Sequence, residues 1–256
     1  MFIPLHDQNN TEVRIKPYVT YGLIGFTTLI YIYQWFVGLG NDHEEIMFVL
    51  RYGLVPNAFL NGLPTYDCVL QSGIKGVSEQ YRNVVSVTNS PLGITLMPVT
   101  YAFLHASWMH LISNLWFFYI FADNVEERLG SALFLPFYLV AAASGGAMHL
   151  FFDAGSSLPL VGASGAISGV MGAYAVLFPA NRITSYFCPV WFFIRRIDVP
   201  AWIVLGFYIL VQSFSLWNAE ILASRTAFDC HIGGFIAGAL IAVMFRSSRA
   251  RVAVAE

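Results

Sequence analysis

The run Leu158–Ala180, LPLVGASGAISGVMGAYAVLFPA, decides the fold class. Its 23 residues include no Asp, Glu, Lys or Arg. About 20 apolar residues are enough to cross the hydrocarbon core of a bilayer as a helix. The run is nevertheless not plain lipid-facing sequence, because Ser164 sits near its start within Gly162-Ala163-Ser164-Gly165. Polar groups at membrane depth are costly, and each one there needs a partner or a task.

Reading outward, the same pattern recurs. Tyr18–Gly40 (23 residues), Ser131–Phe152 (22) and Val199–Ala219 (21) are free of charged residues, and Ala227–Phe245 is apolar apart from Asp229 and His231. Leu92–Ala122 is uncharged over 31 residues, more than one span needs. Ser107 within it is a candidate helix N-cap, which places a span at about 107–123 and leaves residues 92–106 as a loop lying in the membrane surface. The composition agrees: 57% of the 256 residues are hydrophobic and 11% charged, against about 25% charged in a soluble domain, and the mean hydropathy is +0.63. These values exclude a disordered chain, a disulfide scaffold and an ordinary soluble enzyme. The expectation is an all-α polytopic membrane protein with six transmembrane helices. It forms a single domain over 1–256, with short tails at about 1–17 and 246–256 that are too small to fold alone.

With six spans both termini share one side. Arg14, Lys16, Arg128, Arg182, Arg195, Arg196, Arg246, Arg249 and Arg251 fall on that side, and Arg51, Lys75, Arg82 and Arg225 on the other. Basic residues concentrate on cytoplasmic loops, so both termini are expected in the cytoplasm. The net charge of −2 offers no field for nucleic acid. Cys68, Cys188 and Cys230 form no C-x-x-C pair. Asn41–Pro91 reads as a long external loop, apolar enough to lie against the bilayer or the bundle, and Tyr186–Ile194 as an interfacial segment anchored by Arg195 and Arg196.

Polar residues gather on three spans. The second carries His110 and Asn114, the fourth Ser164, the sixth His231. At 1.5 Å per residue, Ser164 lies about 9 Å past Leu158 and His110 about 5 Å past Ser107. Asn114 is one turn below His110 on the same face, and His231 is two residues inside Asp229. All four therefore share an outer layer that water can reach. A serine hydroxyl becomes nucleophilic when a neighbouring base takes its proton, and His231 can be that base. The oxyanion formed on an amide carbonyl needs aligned donors, which Asn114, His110 and the Ser164 backbone N–H can supply. Gly165, Gly169 and Gly172 on one span, with Gly234 and Gly238 on another, allow the close backbone approach that such a contact requires.

At these residues the sequence resembles the rhomboid intramembrane serine proteases. The matching pieces are His110-x-x-x-Asn114, Glu127-Arg128-Leu129-Gly130, Gly162-Ala163-Ser164-Gly165 and His231-x-x-Gly234-x-x-x-Gly238. The resemblance implies a dyad of Ser164 as nucleophile and His231 as general base, an oxyanion hole of His110, Asn114 and Ser164, and no cofactor or metal. It implies transmembrane protein substrates, cut near the external face, and the lipid bilayer as partner. A bacterial cell membrane is the expected host. Two positions depart from the family pattern. Leu96-Met97 stands where many members have Trp-Arg, and Ser168 stands where many place an aromatic residue on the catalytic ring. The Ser168 hydroxyl either faces the dyad or returns to a helix carbonyl.

Other residues read as structural. His105 reads as a loop-fixing residue, His149 as satisfied at the interface, and Glu127 with Arg128 as a pair at a turn. Asp229 is two residues from His231, and such side chains point apart on a helix. Two other classes compete with this reading. A bis-histidine haem or metal protein would use His105, His110, His149 and His231, but no paired repeat is visible. A silent client-binding member typically lacks the serine or the histidine, and this chain keeps both. No H-E-x-x-H zinc motif occurs.

Overall fold

The computed structural model describes residues 2–8, 16–39, 42–70, 83–187, 195–218 and 227–246. Arg14, Lys75, Arg82, Cys188, Arg225, Arg249 and Arg251, most of Tyr186–Ile194, residues 1 and 9–15 of the first predicted tail and residues 247–256 of the second lie outside them. Helices dominate: α1 (Tyr18–Gly38), α2 (Asp42–Tyr52), α3 (Pro56–Leu60), α4 (Pro91–Thr100), α5 (Trp108–Leu129), α6 (Ser131–Phe152), α7 (Ser164–Leu177), α8 (Ala201–Trp217) and α9 (Phe228–Arg246). By length and hydropathy α6 and α9 suffice to cross a membrane, and residues 91–103, α7 and α8 are shorter apolar helices.

The all-α expectation needs correction. Strands β1 (Phe2–Gln8), β4 (Arg182–Phe187) and β5 (Arg195–Pro200) form an antiparallel sheet in the order β1-β4-β5, and β2 (Thr65–Leu70) pairs with β3 (Asn83–Thr88). The start of the chain is therefore not a loose tail. Gln8 pairs with Arg182 and Phe2 with Phe187, and the Trp116 indole N–H donates to the Pro4 carbonyl at 2.8 Å. Asp7 is gripped by the Tyr174 hydroxyl at 2.5 Å and the Asn124 amide at 2.6 Å. Burial pushes its carboxyl above the ordinary range, opposed by these donors. A strand paired 174 positions away leaves no local periodicity from which to read it (Gln8 to Arg182).

The predicted external loop carries α2, α3 and the β2–β3 hairpin. Residues 92–106, read as a loop, are instead α4 followed by a 3-10 turn at Tyr101–Phe103. Ser90 caps α4 by accepting from the Gly93 N–H at 3.0 Å, with Pro91 at the first position. Conversely, the Leu158–Ala180 run is helical only from Ser164 to Leu177. Pro159 lacks an amide donor, and Gly162 sits at φ +125°, a conformation no helix contains. The non-helical stretch is paired with protein instead. Leu54 and Leu160 exchange N–H···O bonds of 3.1 and 2.8 Å, and the Gly162 N–H donates to Tyr101 O at 3.0 Å. Irregular backbone is tolerated at membrane depth only where the protein satisfies it in this way.

At the other end of the bundle Glu126, fully buried, joins three helices. Its carboxylate accepts from the Val19 and Thr20 N–H groups at 3.0 and 2.8 Å, the Thr20 hydroxyl at 2.7 Å and the Ser131 hydroxyl at 2.6 Å. The first turn of α1 has no intrahelical partners for those donors, and a carboxylate there also complements the helix dipole. Arg128 caps the far end of α9 by donating to the Phe245 and Arg246 carbonyls at 2.8 and 3.0 Å. Between these ends α7 forms the axis of the core, with every residue from Gly165 to Tyr174 buried.

Candidate active site

Ser164 is the first residue of α7, directly after the pinned strand-like segment. The glycine rows bring α9 against it. A methyl built on Gly234 would overlap the Gly165 carbonyl oxygen, and one on Gly238 the Gly169 carbonyl oxygen, so the two backbones touch. Gly169 is equally closed, by Ala141 of α6. This approach sets the His231 Nε2 at 2.7 Å from the Ser164 Oγ. The predicted hydroxyl–imidazole contact is present, and Gly165, Gly169, Gly234 and Gly238 stand where helix packing requires them.

The first turn of α5 faces the same point. Ser107 caps the helix as expected, accepting from the His110 N–H at 3.1 Å. The His110 ring lies over Gly162: a Cβ there would be 2.9 Å from His110 Nε2 and 3.7 Å from Ser164 Oγ. The missing side chain thus leaves a small space between the imidazole and the hydroxyl. Asn114 is buried at 7% exposure, and its Nδ2 has no hydrogen-bond partner among the described residues. An unpaired buried amide donor costs roughly 1–3 kcal/mol.

Other candidates separate from this centre. Asp229 does not reach His231. Its carboxylate meets His149 Nδ1 at 3.0 and 3.2 Å and accepts from its neighbour's N–H, Cys230, at 2.6 Å. His105 is fully buried and its backbone is bracketed by Gln34, which donates to its carbonyl at 2.7 Å and accepts from its N–H at 3.3 Å. The Ala163 N–H approaches His105 Nε2 at 3.5 Å, consistent with the expected loop-fixing role. Ser168 takes neither of the two predicted arrangements: its Oγ pairs with the Tyr208 hydroxyl at 2.7 Å. Met97, in place of the family's polar anchor, is fully buried. Cys68 and Cys230 are free and buried. Cys68 donates to Ser157 O at 2.9 Å, and burial pushes its thiol up to about 11.

One contact escaped the sequence reading. Gln212 of α8 accepts from the His231 ring through its Oε1, 2.8 Å from Nδ1. The available signal was a glutamine inside the uncharged Val199–Ala219 run.

A family model described as "Rhomboid domain" matches residues 96–248. The chain is 30% identical over 146 residues to "Rhomboid protein 1, mitochondrial" of Saccharomyces cerevisiae, covering 54% of this chain and 38% of that protein. It is 30% identical over 153 residues to "Rhomboid protease GlpG" of Yersinia enterocolitica, covering 56% and 46%. To "RHOMBOID-like protein 12, mitochondrial" of Arabidopsis thaliana it is 27% identical over 188 residues, covering 66% and 52%. The matched segment is thus about half the length of these curated relatives, which come from mitochondria as well as from a bacterium. The matched stretch contains every group assembled around Ser164, and by it the chain belongs to the rhomboid family of integral membrane proteins.

Proposed function

We propose that this protein is an intramembrane serine endopeptidase that cleaves transmembrane segments of other proteins near the external membrane face. The observation that carries the reading is the 2.7 Å contact between Ser164 Oγ and His231 Nε2. In this mechanism His231 takes the hydroxyl proton as Ser164 attacks the scissile carbonyl, and returns it to the leaving amine. The developing oxyanion is met by Asn114 Nδ2, the His110 ring and the N–H at the start of α7. The unpartnered Asn114 amide supports this, because a donor left unpaired at the expense of stability is what an oxyanion hole holds ready. A silent client-binding protein would have no use for either feature.

The proposal includes a single domain over 1–256 with six membrane crossings, a first external segment lying against the bilayer, and both termini on the cytoplasmic side by the basic-residue count. A bacterial cell membrane is the proposed host. α7, at 14 residues, spans only ~21 Å, and the paired segment before it completes its crossing.

A fluorophosphonate probe tests the nucleophile. It is expected to label the purified protein on Ser164 alone, read by mass spectrometry of the labelled peptide. Labelling elsewhere, or none, would sink the assignment. Asn114→Ala removes one oxyanion donor, and kcat for a single-span peptide in liposomes is expected to fall about 10²–10³-fold. Unchanged turnover would remove Asn114 from the oxyanion hole.

A further inference from the structure

We infer that Gln212 is a positioning residue for the reaction. It acts as a neutral third member behind the Ser164–His231 pair, supplied by α8. The inference rests on the reading of Ser164 as nucleophile and His231 as base.

An imidazole that is to accept the serine proton at Nε2 must carry its own proton on Nδ1. Something must therefore accept from Nδ1. Asp229, the nearest acid along the chain, is engaged with His149 and with the Cys230 N–H. The atom at Nδ1 is Gln212 Oε1, at 2.8 Å. A carbonyl oxygen can only accept, so this contact fixes the proton on Nδ1 and turns the Nε2 lone pair toward Ser164 Oγ. It also holds the ring plane and stabilises the imidazolium once the proton has moved, without placing a second charge in an apolar site.

The placement of α8 supports the assignment. Its buried residues, Ala201 and Leu205, are both at its beginning. Farther along, Leu210, Phe214 and Trp217 are exposed. Near the reacting groups α8 meets its neighbours through Tyr208 and Gln212, which are four residues apart and so on one face. Tyr208 meets Ser168 on α7, one turn below Ser164, and Gln212 meets His231 on α9. The polar pair sets the register of α8 against both helices of the dyad, and the orientation of His231 depends on α8 being docked.

The test compares wild type, Gln212→Leu and Gln212→Glu in liposomes, with a fluorogenic single-span peptide as substrate and the fluorophosphonate as a direct measure of Ser164 reactivity. Gln212→Leu keeps the volume but loses the acceptor. Its kcat and labelling rate are expected to fall together by about 10- to 100-fold, with KM within twofold. Gln212→Glu restores an acceptor for Nδ1 and is expected to recover most of the loss. Wild-type kcat and labelling in Gln212→Leu would overturn the inference while leaving the dyad intact. A loss confined to KM, or one that Gln212→Glu does not recover, would also overturn it, by marking Gln212 as a substrate-contact or packing residue. Wild-type protein that fails to label at Ser164 removes the dyad itself, and the role of Gln212 with it.

Discussion

Ser164→Ala and His231→Ala are each expected to reduce kcat for a single-span substrate by about 10⁴–10⁶-fold, to the limit of detection in liposomes. The two losses should not add. With the hydroxyl gone the imidazole has no proton to take, and with the imidazole gone the hydroxyl remains a weak nucleophile. The double variant should therefore be no slower than either single one. Stability should move little in Ser164→Ala, whereas His231→Ala also takes the partner from Gln212 Oε1 and should cost more. Ser164 Oγ is the partner of His231 Nε2, and a lost hydrogen bond of this kind costs about 1 kcal/mol. Melting temperatures in detergent therefore separate loss of chemistry from loss of fold. A Ser164→Ala protein that cleaves at the wild-type rate would exclude the mechanism. Additive losses would show that the two residues work in separate steps.

The residues proposed to react were legible in the sequence because lipid makes polarity conspicuous. A histidine or an asparagine inside an uncharged run is rare enough to be noticed, and helical geometry converts its position into a depth. Ser107 as a cap and the glycine rows were legible for the same reason: each rule needs only a few neighbouring residues. What remained hidden depends on partners far along the chain. The β1–β4 pairing joins Gln8 to Arg182, and no periodicity within seven residues announces it. Glu126 rather than Glu127 anchors the start of α1, a choice that only the rotation of α5 decides. The Leu158–Ala180 run was uncharged enough to be read as one helix. Pro159 and the positive φ of Gly162 delay the helix to Ser164, so that the serine is its first residue. Gln212 was missed because a glutamine in a span can be satisfied in many ways, and its role shows only when His231 Nδ1 is found to face it.

Gly238→Ala and Gly206→Ala are the same chemical change, and the structure gives them opposite signs. A helical glycine replaced by alanine gains about 0.5–1 kcal/mol from reduced backbone entropy where the new methyl has room. On α8 it has: nothing lies within 4 Å of a Cβ at Gly206. On α9 it has none: at Gly238 the methyl would overlap the Gly169 carbonyl oxygen and its carbon. Those atoms are backbone on a fully buried stretch of α7 and cannot rotate aside, so the helices must separate. Overpacking of this kind costs about 1–3 kcal/mol. His231 is seven residues up α9 on the same packed face, and a shift there of about 1 Å is worth about 10²-fold in rate. Gly238→Ala is thus expected to lower both the melting temperature in detergent and the cleavage rate, while Gly206→Ala leaves the rate unchanged and the protein slightly more stable. The Ser164–His231 contact of 2.7 Å depends on two bare backbones lying against each other. A Gly238→Ala protein with wild-type stability and rate would show that something other than this approach holds serine and histidine together.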